Sequence, residues 1–275
     1  MDRMAVTAES LITETVVEEY DRNGGVCLRR AFDPEWVEEV KVGLDAVLGR
    51  RTGNLAPKPH DQPDGFNMHQ FRWRDVRQLE RFVLHSPAAA IAGRLLRAHK
   101  VNFLEDAAFI ADAGVPGKTD WHQDLPCYNV IGKMLSVWMP LQPLSRTEGL
   151  RLVAGSHKWG KLFTPFSAGE NRPGYEPVPE IDEQEHQILS FDLDPGDCIA
   201  FSGLVLHGVM PTDHSRGSRR FSTRWSGDAV FFSRGGVCSR SVRETGLSDG
   251  DPLDCDWYPV LWTRRGGHRE LGDTR

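Results

Sequence analysis

The sequence predicts an α+β fold in which N-terminal helices flank an antiparallel sandwich or jelly roll. Two observations carry this prediction, and two more bear on the number of domains. Apolar residues recur at helical spacing in the first third of the chain, and short apolar or alternating runs bounded by turn residues follow from about residue 100. No glycine-rich linker separates the two parts, and 275 residues are enough for a large core. We therefore predict one domain over 1–275, with a mainly helical flank at 1–100, a jelly-roll core at 101–235 and a C-terminal extension at 236–275.

The strongest helix signal begins at Asp33 and Pro34. Asp33 can cap a helix, and proline suits its first turn because that position needs no N–H donor. The apolar residues that follow recur every three or four positions: Trp36, Val37, Val40, Leu44, Val47 and Leu48. The other predicted elements of this part are helices at 11–20 and 87–99, a short strand at 24–30 and a Pro-, Gly- and Asn-rich loop at 49–75.

Strands are predicted wherever short apolar runs end in turn residues. Asp194–Asp197, which reads DPGD, is one such tight turn. The polar stretch at 163–187 is too irregular for a core strand and is typical of a loop that covers an active site. The six predicted strands are 101–112, 133–141, 150–154, 188–193, 198–207 and 219–225.

Composition excludes several classes of protein. A net charge of −6 argues against nucleic acid as the main partner, because phosphate binding requires a cationic face. No apolar run approaches the 18 or so residues of a membrane span, and no signal peptide is visible, so we expect a cytoplasmic protein. Five widely spaced cysteines without a CxxC pair argue against a zinc ribbon and predict free thiols.

Two histidines and an aspartate form the most informative motif. Residues i and i+2 of a strand project to one side, so His122 and Asp124 can face the same ion. His207 ends a later strand-like run and can supply a second imidazole if that strand returns beside them. Two nitrogens and one carboxylate oxygen leave three coordination positions open. This arrangement suits non-haem Fe(II), whereas a structural zinc takes four closed ligands.

Several longer runs surround this motif: WHQDLPCYNVIGKMLSVWMPLQPL, LRLVAGSHKWG, the DPGD turn leading to LHG, and SRRFSTRW followed by SGD. Through these runs the chain resembles the phytanoyl-CoA dioxygenase family of Fe(II)/2-oxoglutarate oxygenases. GGVCLRRAFDPEWVEEV and GDPLDCDWYPVLW resemble the opening and closing segments of that family. The resemblance covers nearly the whole chain, with gaps at 49–75 and 161–187. It implies a double-stranded β-helix, the cupin-like jelly roll, and Fe(II) bound by His122, Asp124 and His207.

The resemblance also implies a reaction and its cofactors. Fe(II), 2-oxoglutarate and O₂ would oxidise a small molecule, which we expect to be a secondary metabolite, with release of succinate and CO₂. Hydroxylation is the expected outcome, and desaturation or ring formation would use the same centre. Related halogenases lack the carboxylate, so Asp124 argues against halogenation. A non-catalytic ligand-binding jelly roll and a zinc hydrolase with the same triad are the alternatives, and the oligomeric state is left open.

The far carboxylate of 2-oxoglutarate requires a cation, and a guanidinium fits it best. In the family this arginine often lies eleven residues past the distal histidine, where this chain has Ser218. Strand alternation makes Arg220 the first candidate, and Arg219 the second if a bulge shifts the register. The resemblance implies that Gln123 forms a hydrogen bond with the cosubstrate and that Trp138 lines its pocket. His69 and Arg72 are the candidates for substrate contact.

Overall fold

The computed structural model describes residues 7–49, 66–115, 117–165, 173–209, 216–234, 245–264 and 267–268. Within these ranges no helix is long and apolar enough to cross a membrane. The cytoplasmic location and the single domain over 1–275 stay predictions. The four cysteines in the described ranges, Cys27, Cys127, Cys198 and Cys255, are thiols.

Capping residues determine where the N-terminal helices begin and end. The helix predicted at 11–20 is two helices, because Thr7 and Thr13 each cap a separate one through a side-chain oxygen. The second ends at Gly24, whose φ of 81° is the left-handed conformation that favours glycine. The helices are α1 (Ala8–Leu11), α2 (Glu14–Asn23), α3 (Pro34–Gly49), α4 (Arg77–His85) and α5 (Ala88–Leu95).

The strands form an antiparallel β-structure whose bounds are close to those predicted from residue 100 onward. They are β1 (Gly25–Leu28), β2 (Phe66–Gln70), β3 (Lys100–Ala111), β4 (Thr119–His122), β5 (Val130–Ile131), β6 (Met134–Pro140), β7 (Leu150–Val153), β8 (Ile188–Leu189), β9 (Cys198–Ser202), β10 (His207–Val209), β11 (Ser218–Ser226), β12 (Phe231–Phe232), β13 (Val260–Thr263) and β14 (Gly267–His268). Helix α4 and strands β2, β4, β5, β10 and β12–β14 were not predicted. The strand predicted at 198–207 ends at Ser202, and His207 begins β10.

Two sheets form the core of the fold. In the described part of the chain, the larger sheet has the order β1-β9-β6-β11-β3-β13-β14, with β2 also pairing with β3, and the smaller has the order β4-β10-β7-β8. Trp138 and Phe201 of the larger sheet pack in one apolar cluster with Leu152 and Val209 of the smaller. The sheets therefore face each other, as a jelly roll requires, and the predicted fold class is confirmed.

The helices cover the opposite face of the larger sheet. Phe221 and Trp225 of β11 belong to one apolar cluster with residues of all five helices. The rings of Phe82 in α4 and Phe221 meet edge to face, with 5.5 Å between their centroids. Side chains of β11 consequently alternate between the helix layer and the space between the sheets.

The larger sheet also takes strands from outside 101–235. Strand β1 pairs with β9 from Gly25↔Phe201 to Leu28↔Cys198, and β13 pairs with the first residues of β3. Residues 50–65 of the loop predicted at 49–75 lie outside the described residues. The prediction was wrong over Phe66–Gln70, which is strand β2 and pairs with the far end of β3. The prediction of a loop over 163–187 lies partly outside the described residues; of the rest, Phe163, Val178 and Ile181 pack with Trp121 and Trp159.

Candidate metal centre

Strands β4 and β10 bring the three predicted ligands together. His122 and His207 are directly opposite in the antiparallel ladder, and Asp124 follows two residues after the end of β4. The Nε2 atoms of His122 and His207 lie 3.6 and 3.5 Å from Oδ1 of Asp124. All three side chains are buried, and among the described residues no other group of three acidic, histidine or cysteine side chains is close enough to hold a metal ion.

Backbone carbonyls orient both imidazoles. Nδ1 of His122 is 2.7 Å from the carbonyl oxygen of Asp120, and Nδ1 of His207 is 3.0 Å from that of Val205. A hydrogen bond from Nδ1–H to a carbonyl leaves the lone pair on Nε2, which is the form that binds a metal. Burial and the nearby His122 also lower the pKa of His207, so this imidazole is neutral at neutral pH.

Asp124 is ionised and tightly held. Burial raises the pKa of its carboxyl group, but the positive charge of Arg224 is foremost among the effects that outweigh burial and hold the pKa well below its usual range. Oδ2 accepts a hydrogen bond of 2.6 Å from the hydroxyl of Ser136 on β6 and lies 3.6 Å from Nε of Arg224. One carboxylate and two imidazoles form the donor set that suits Fe(II).

The sequence also matches a known family. The model of the family "Phytanoyl-CoA dioxygenase (PhyH)" covers residues 20–221, which include all three residues of the triad. The chain belongs to the phytanoyl-CoA dioxygenase family. The resemblance stated from the sequence is thereby confirmed, and so is the prediction of an Fe(II)/2-oxoglutarate-dependent oxygenase, since these are the cofactors of the family. No curated protein sequence matches the chain.

Solved structures of enzymes from this group have the same fold. The 2-oxoglutarate-dependent carbocyclase SnoK of nogalamycin biosynthesis superposes with a TM-score of 0.76 at 18% identity, over 94% of this chain and 99% of that one. The epimerase SnoN, in complex with Fe³⁺, α-ketoglutarate and nogalamycin RO, has a TM-score of 0.72 at 18% identity, over 90% and 97%. EvdO2 from Micromonospora carbonacea var. aurantiaca, complexed with 2-oxoglutarate, has a TM-score of 0.62 at 18% identity, over 90% and 98%.

In this member of the family, strand β11 sends its two candidate arginines to opposite faces. Arg219 is half-exposed on the helix side, where it forms an ion pair with Asp45 of α3 at 2.5 Å. Arg220 is buried on the face toward the smaller sheet, and its Nη1 donates to the carbonyl oxygen of Gly117. A Cβ at Gly117 would lie 2.9 Å from Nη2 of Arg220, so a larger residue here would displace the end of the guanidinium.

Burial gives Arg220 a preference for an anion. It lowers the pKa of the guanidinium to about 10, and the negative charge of Glu148 offsets only part of this effect. A carboxylate bound beside Arg220 would stabilise its charged form. Ser218 occupies the position where the family often has arginine, and it lies on the same face as Arg220 two residues earlier.

The structure separates the remaining candidates. Trp138 lies opposite Ser222 on the face of β6 toward the smaller sheet, so it can line a pocket between the sheets. Gln123 does not face the triad. Its amide nitrogen donates to the carbonyl oxygens of Lys161 and Leu204, and its amide oxygen accepts from the N–H of Phe163. Gln123 thereby links the segment at 161–163 to the turn at Leu204.

The two substrate candidates lie on the helix side of the larger sheet or at its edge. His69 is opposite Ala108, which packs against the helices, whereas its neighbour Gln70 is opposite Ala107 on the inner face. Arg72 follows β2, where its N–H bonds to Asp106 and its side chain lies 3.6 Å from Asp75. Neither residue is part of the group around Asp124.

A buried polar cluster beside the triad was not predicted. Arg224 lies opposite Glu105 in the β11–β3 ladder, and Oε1 of Glu105 accepts hydrogen bonds from Gln70 at 2.8 Å and from the Tyr128 hydroxyl at 3.0 Å. Burial raises the pKa of Glu105 to about 7, although Arg224, Gln70 and Tyr128 oppose this effect. Two sequence signals could have indicated this cluster. The strand alternation that selects Arg220 also selects Arg224, and Glu105 is a charged residue within an otherwise apolar strand. Nothing in the sequence singles out Ser136.

Proposed function

We propose that this oxygenase oxidises a small organic molecule of secondary metabolism at an iron held by His122, Asp124 and His207. One observation carries the proposal: three side chains with the donor atoms that Fe(II) prefers converge at one end of the space between the sheets, and a buried arginine points into the same space. Three protein ligands would leave room on the metal for a cosubstrate and for O₂. When bound, iron and 2-oxoglutarate supply O₂ activation, and the release of succinate and CO₂ drives substrate oxidation.

The roles of the chain's own residues are binding, orientation and exclusion of water. Nε2 of each histidine and Oδ1 of Asp124 would hold the metal without giving up a proton, because the imidazoles present their unprotonated nitrogens and the carboxyl group is already ionised. Arg220 would bind the far carboxylate of 2-oxoglutarate, and its burial would make that pair strong. Trp138 would form the apolar wall beside it.

The substrate class is inferred from the structural neighbours. SnoK and SnoN are described as a carbocyclase and an epimerase of nogalamycin biosynthesis, and SnoN was solved with nogalamycin RO. Both cover most of this chain, which supports a role in tailoring a small molecule of comparable origin. Hydroxylation is the expected outcome, and desaturation or ring closure would use the same binding residues. The inner-face residues Gln70 and Arg224 are better placed than His69 and Arg72 to contact such a substrate.

The non-catalytic reading loses its main support. It depended on Ser218 standing where the family often has arginine, but Arg220 lies on the same face of β11 and is buried there. The zinc hydrolase reading requires a general base beside a metal-bound water. The family to which the chain belongs does not favour it, because its members are oxygenases that use iron and 2-oxoglutarate.

An anaerobic titration tests the proposal. Apo-protein is given Fe(II) and then 2-oxoglutarate, and the visible charge-transfer band of the chelate is followed. We expect a saturable band that is absent in His207→Ala and undiminished in His157→Ala, a matched histidine whose Nε2 faces the carbonyl of Asp21 away from the triad. Succinate release then screens candidate substrates. Iron binding without a band, or a band that survives in His207→Ala, would contradict the proposal.

A further inference from the structure

The two oxygens of Asp124 have different surroundings. Oδ1 faces both histidine nitrogens, at 3.6 and 3.5 Å, whereas Oδ2 is turned to the larger sheet. There it accepts the 2.6 Å hydrogen bond from Ser136, a side chain with no exposed surface. A carboxylate on a flexible side chain can bind a metal through one oxygen or both. The Ser136 bond therefore selects between these two modes.

The neighbours of Ser136 make this bond rigid. Ser136 is in the middle of β6, paired with Arg224 of β11 on one side and with Phe201 of β9 on the other, so its backbone cannot shift alone. Nε of Arg224 lies 3.6 Å from the same Oδ2 and attracts its charge. Rotation of Asp124 to bring Oδ2 toward the histidines would break the serine bond and move the carboxylate charge away from a buried guanidinium.

The number of carboxylate oxygens on the metal determines how many positions stay open. With one oxygen and two imidazoles, an octahedral ion has three open positions, which is the number that 2-oxoglutarate and O₂ need together. With both oxygens, only two remain. We infer that Ser136 is a positioning residue that keeps Asp124 a single-oxygen ligand and thereby preserves the third open position. This inference rests on the proposed function, because it assumes that the triad holds the iron.

The test compares Ser136→Ala with Ser222→Ala in the full chain. Both serines are buried on inner-facing positions of neighbouring strands, but the hydroxyl of Ser222 has no hydrogen-bond partner among the described residues. Fe(II) affinity and the 2-oxoglutarate band are measured anaerobically for each, followed by nitric oxide binding as a probe for the O₂ position. Thermal unfolding of each variant shows whether it is folded.

We expect Ser136→Ala to bind Fe(II) within about threefold of the wild type but to need at least tenfold more 2-oxoglutarate for the band, with weakened nitric oxide binding. Ser222→Ala should match the wild type, and Ser136→Thr, which retains the hydroxyl, should recover most of the loss. A purely structural role would instead lower Fe(II) affinity and the unfolding temperature together, and that result would overturn the inference.

Failure of the inference differs from failure of the proposed function. If the wild type forms the band and Ser136→Ala forms it at the same 2-oxoglutarate concentration within twofold, only the role of Ser136 is wrong. If the wild type forms no band, both fall. Should Ser136→Ala not fold, an anaerobic crystal structure of the wild-type protein with Fe(II) decides the point. One Asp124 oxygen on the metal and the other on Ser136 supports the inference, and both oxygens on the metal overturn it.

Discussion

The two faces of strand β11 have opposite chemistry. On the face toward the helices, Phe221 and Trp225 pack in the main apolar cluster, and Arg219 reaches solvent and pairs with Asp45. The face toward the smaller sheet carries a run of buried polar side chains: Ser218, Arg220, Ser222, Arg224 and Ser226. Burial of a charged group costs free energy unless it is paired, so the fold alone does not require Arg220 and Arg224 on an inner face. The first face stabilises the fold, and these two arginines on the second face belong to the site.

The largest expected effect is the loss of the iron ligand. Asp124→Ala should lower 2-oxoglutarate consumption by at least roughly a thousandfold, because the metal supplies several kcal/mol of the catalytic effect. The fold should persist, since the substitution removes a side chain from the inner face and leaves the apolar cluster intact. Succinate release and circular dichroism together check both halves of this prediction. Turnover within tenfold of the wild type would show that Asp124 does not bind the metal.

A substitution on the helix-facing side of β11 should lower stability and leave cosubstrate binding unchanged. Phe221→Ala removes a fully buried ring that packs against Phe82, and it should lower the free energy of unfolding by about 3–5 kcal/mol. In the folded fraction, the concentration of 2-oxoglutarate that half-saturates the band should not change. Urea denaturation and the anaerobic titration measure the two quantities. A large change in 2-oxoglutarate binding at full folding would mean that the two faces are not independent.

Adjacent arginines allow the sharpest comparison. Arg220→Ala should weaken 2-oxoglutarate binding by about 2–5 kcal/mol, which raises the half-saturating concentration by roughly thirtyfold to several thousandfold. Arg219→Ala removes an exposed ion pair that is worth about 0–1 kcal/mol, so it should leave this concentration within twofold and barely change stability. Titration of the band in both variants tests the ranking. If Arg219→Ala has the larger effect, the cosubstrate binds on the other face.

Glu105, on the inner face, should make the free energy of unfolding depend on pH. Burial raises its pKa to about 7 in the folded protein, while the unfolded value is near 4.5. The folded protein keeps the Glu105 proton to a higher pH than the unfolded chain does. The stability that this proton contributes is therefore fully present below the unfolded pKa and is lost as pH rises through about 7. Glu105 alone should contribute a loss on the order of 3 kcal/mol between about pH 4.5 and 7. Glu105→Gln should reduce the loss in urea denaturation.

Asp106, the next residue on β3, is a second buried carboxyl group that should contribute to the same pH dependence of stability. Burial raises its pKa to about 7 as well, although its carboxylate accepts the N–H groups of Arg72 and Trp73 outside the site. Some pH dependence should therefore remain in Glu105→Gln. Identical stability curves for the wild type and the variant would mean that Glu105 does not titrate in this range.

Sequence periodicity determined much of this protein, and for a local reason. Alternation along a strand is a property of consecutive residues, so it assigned Arg219 and Arg220 to opposite sides without any tertiary information. The same argument predicted that His122 and Asp124 share a side, but Asp124 lies beyond the end of β4 and has a helical backbone conformation. Helix α3 begins at Pro34, as its first turn predicts. His207 was a candidate as the end of a strand-like run, and the family resemblance supported it, because the partner of a distant strand is not visible in local spacing.

Only the tertiary structure decided the rest. Strand β2 was hidden in a loop-like composition because its backbone is satisfied by pairing with β3, some forty residues later. Gln123 matched the family motif, yet its amide joins two loops whose approach no local pattern encodes. Ser136 is one serine in an apolar strand until β4 brings Asp124 to it. The sequence by itself could name the residues able to bind the metal, but which groups hold those residues in place depends on contacts between distant segments.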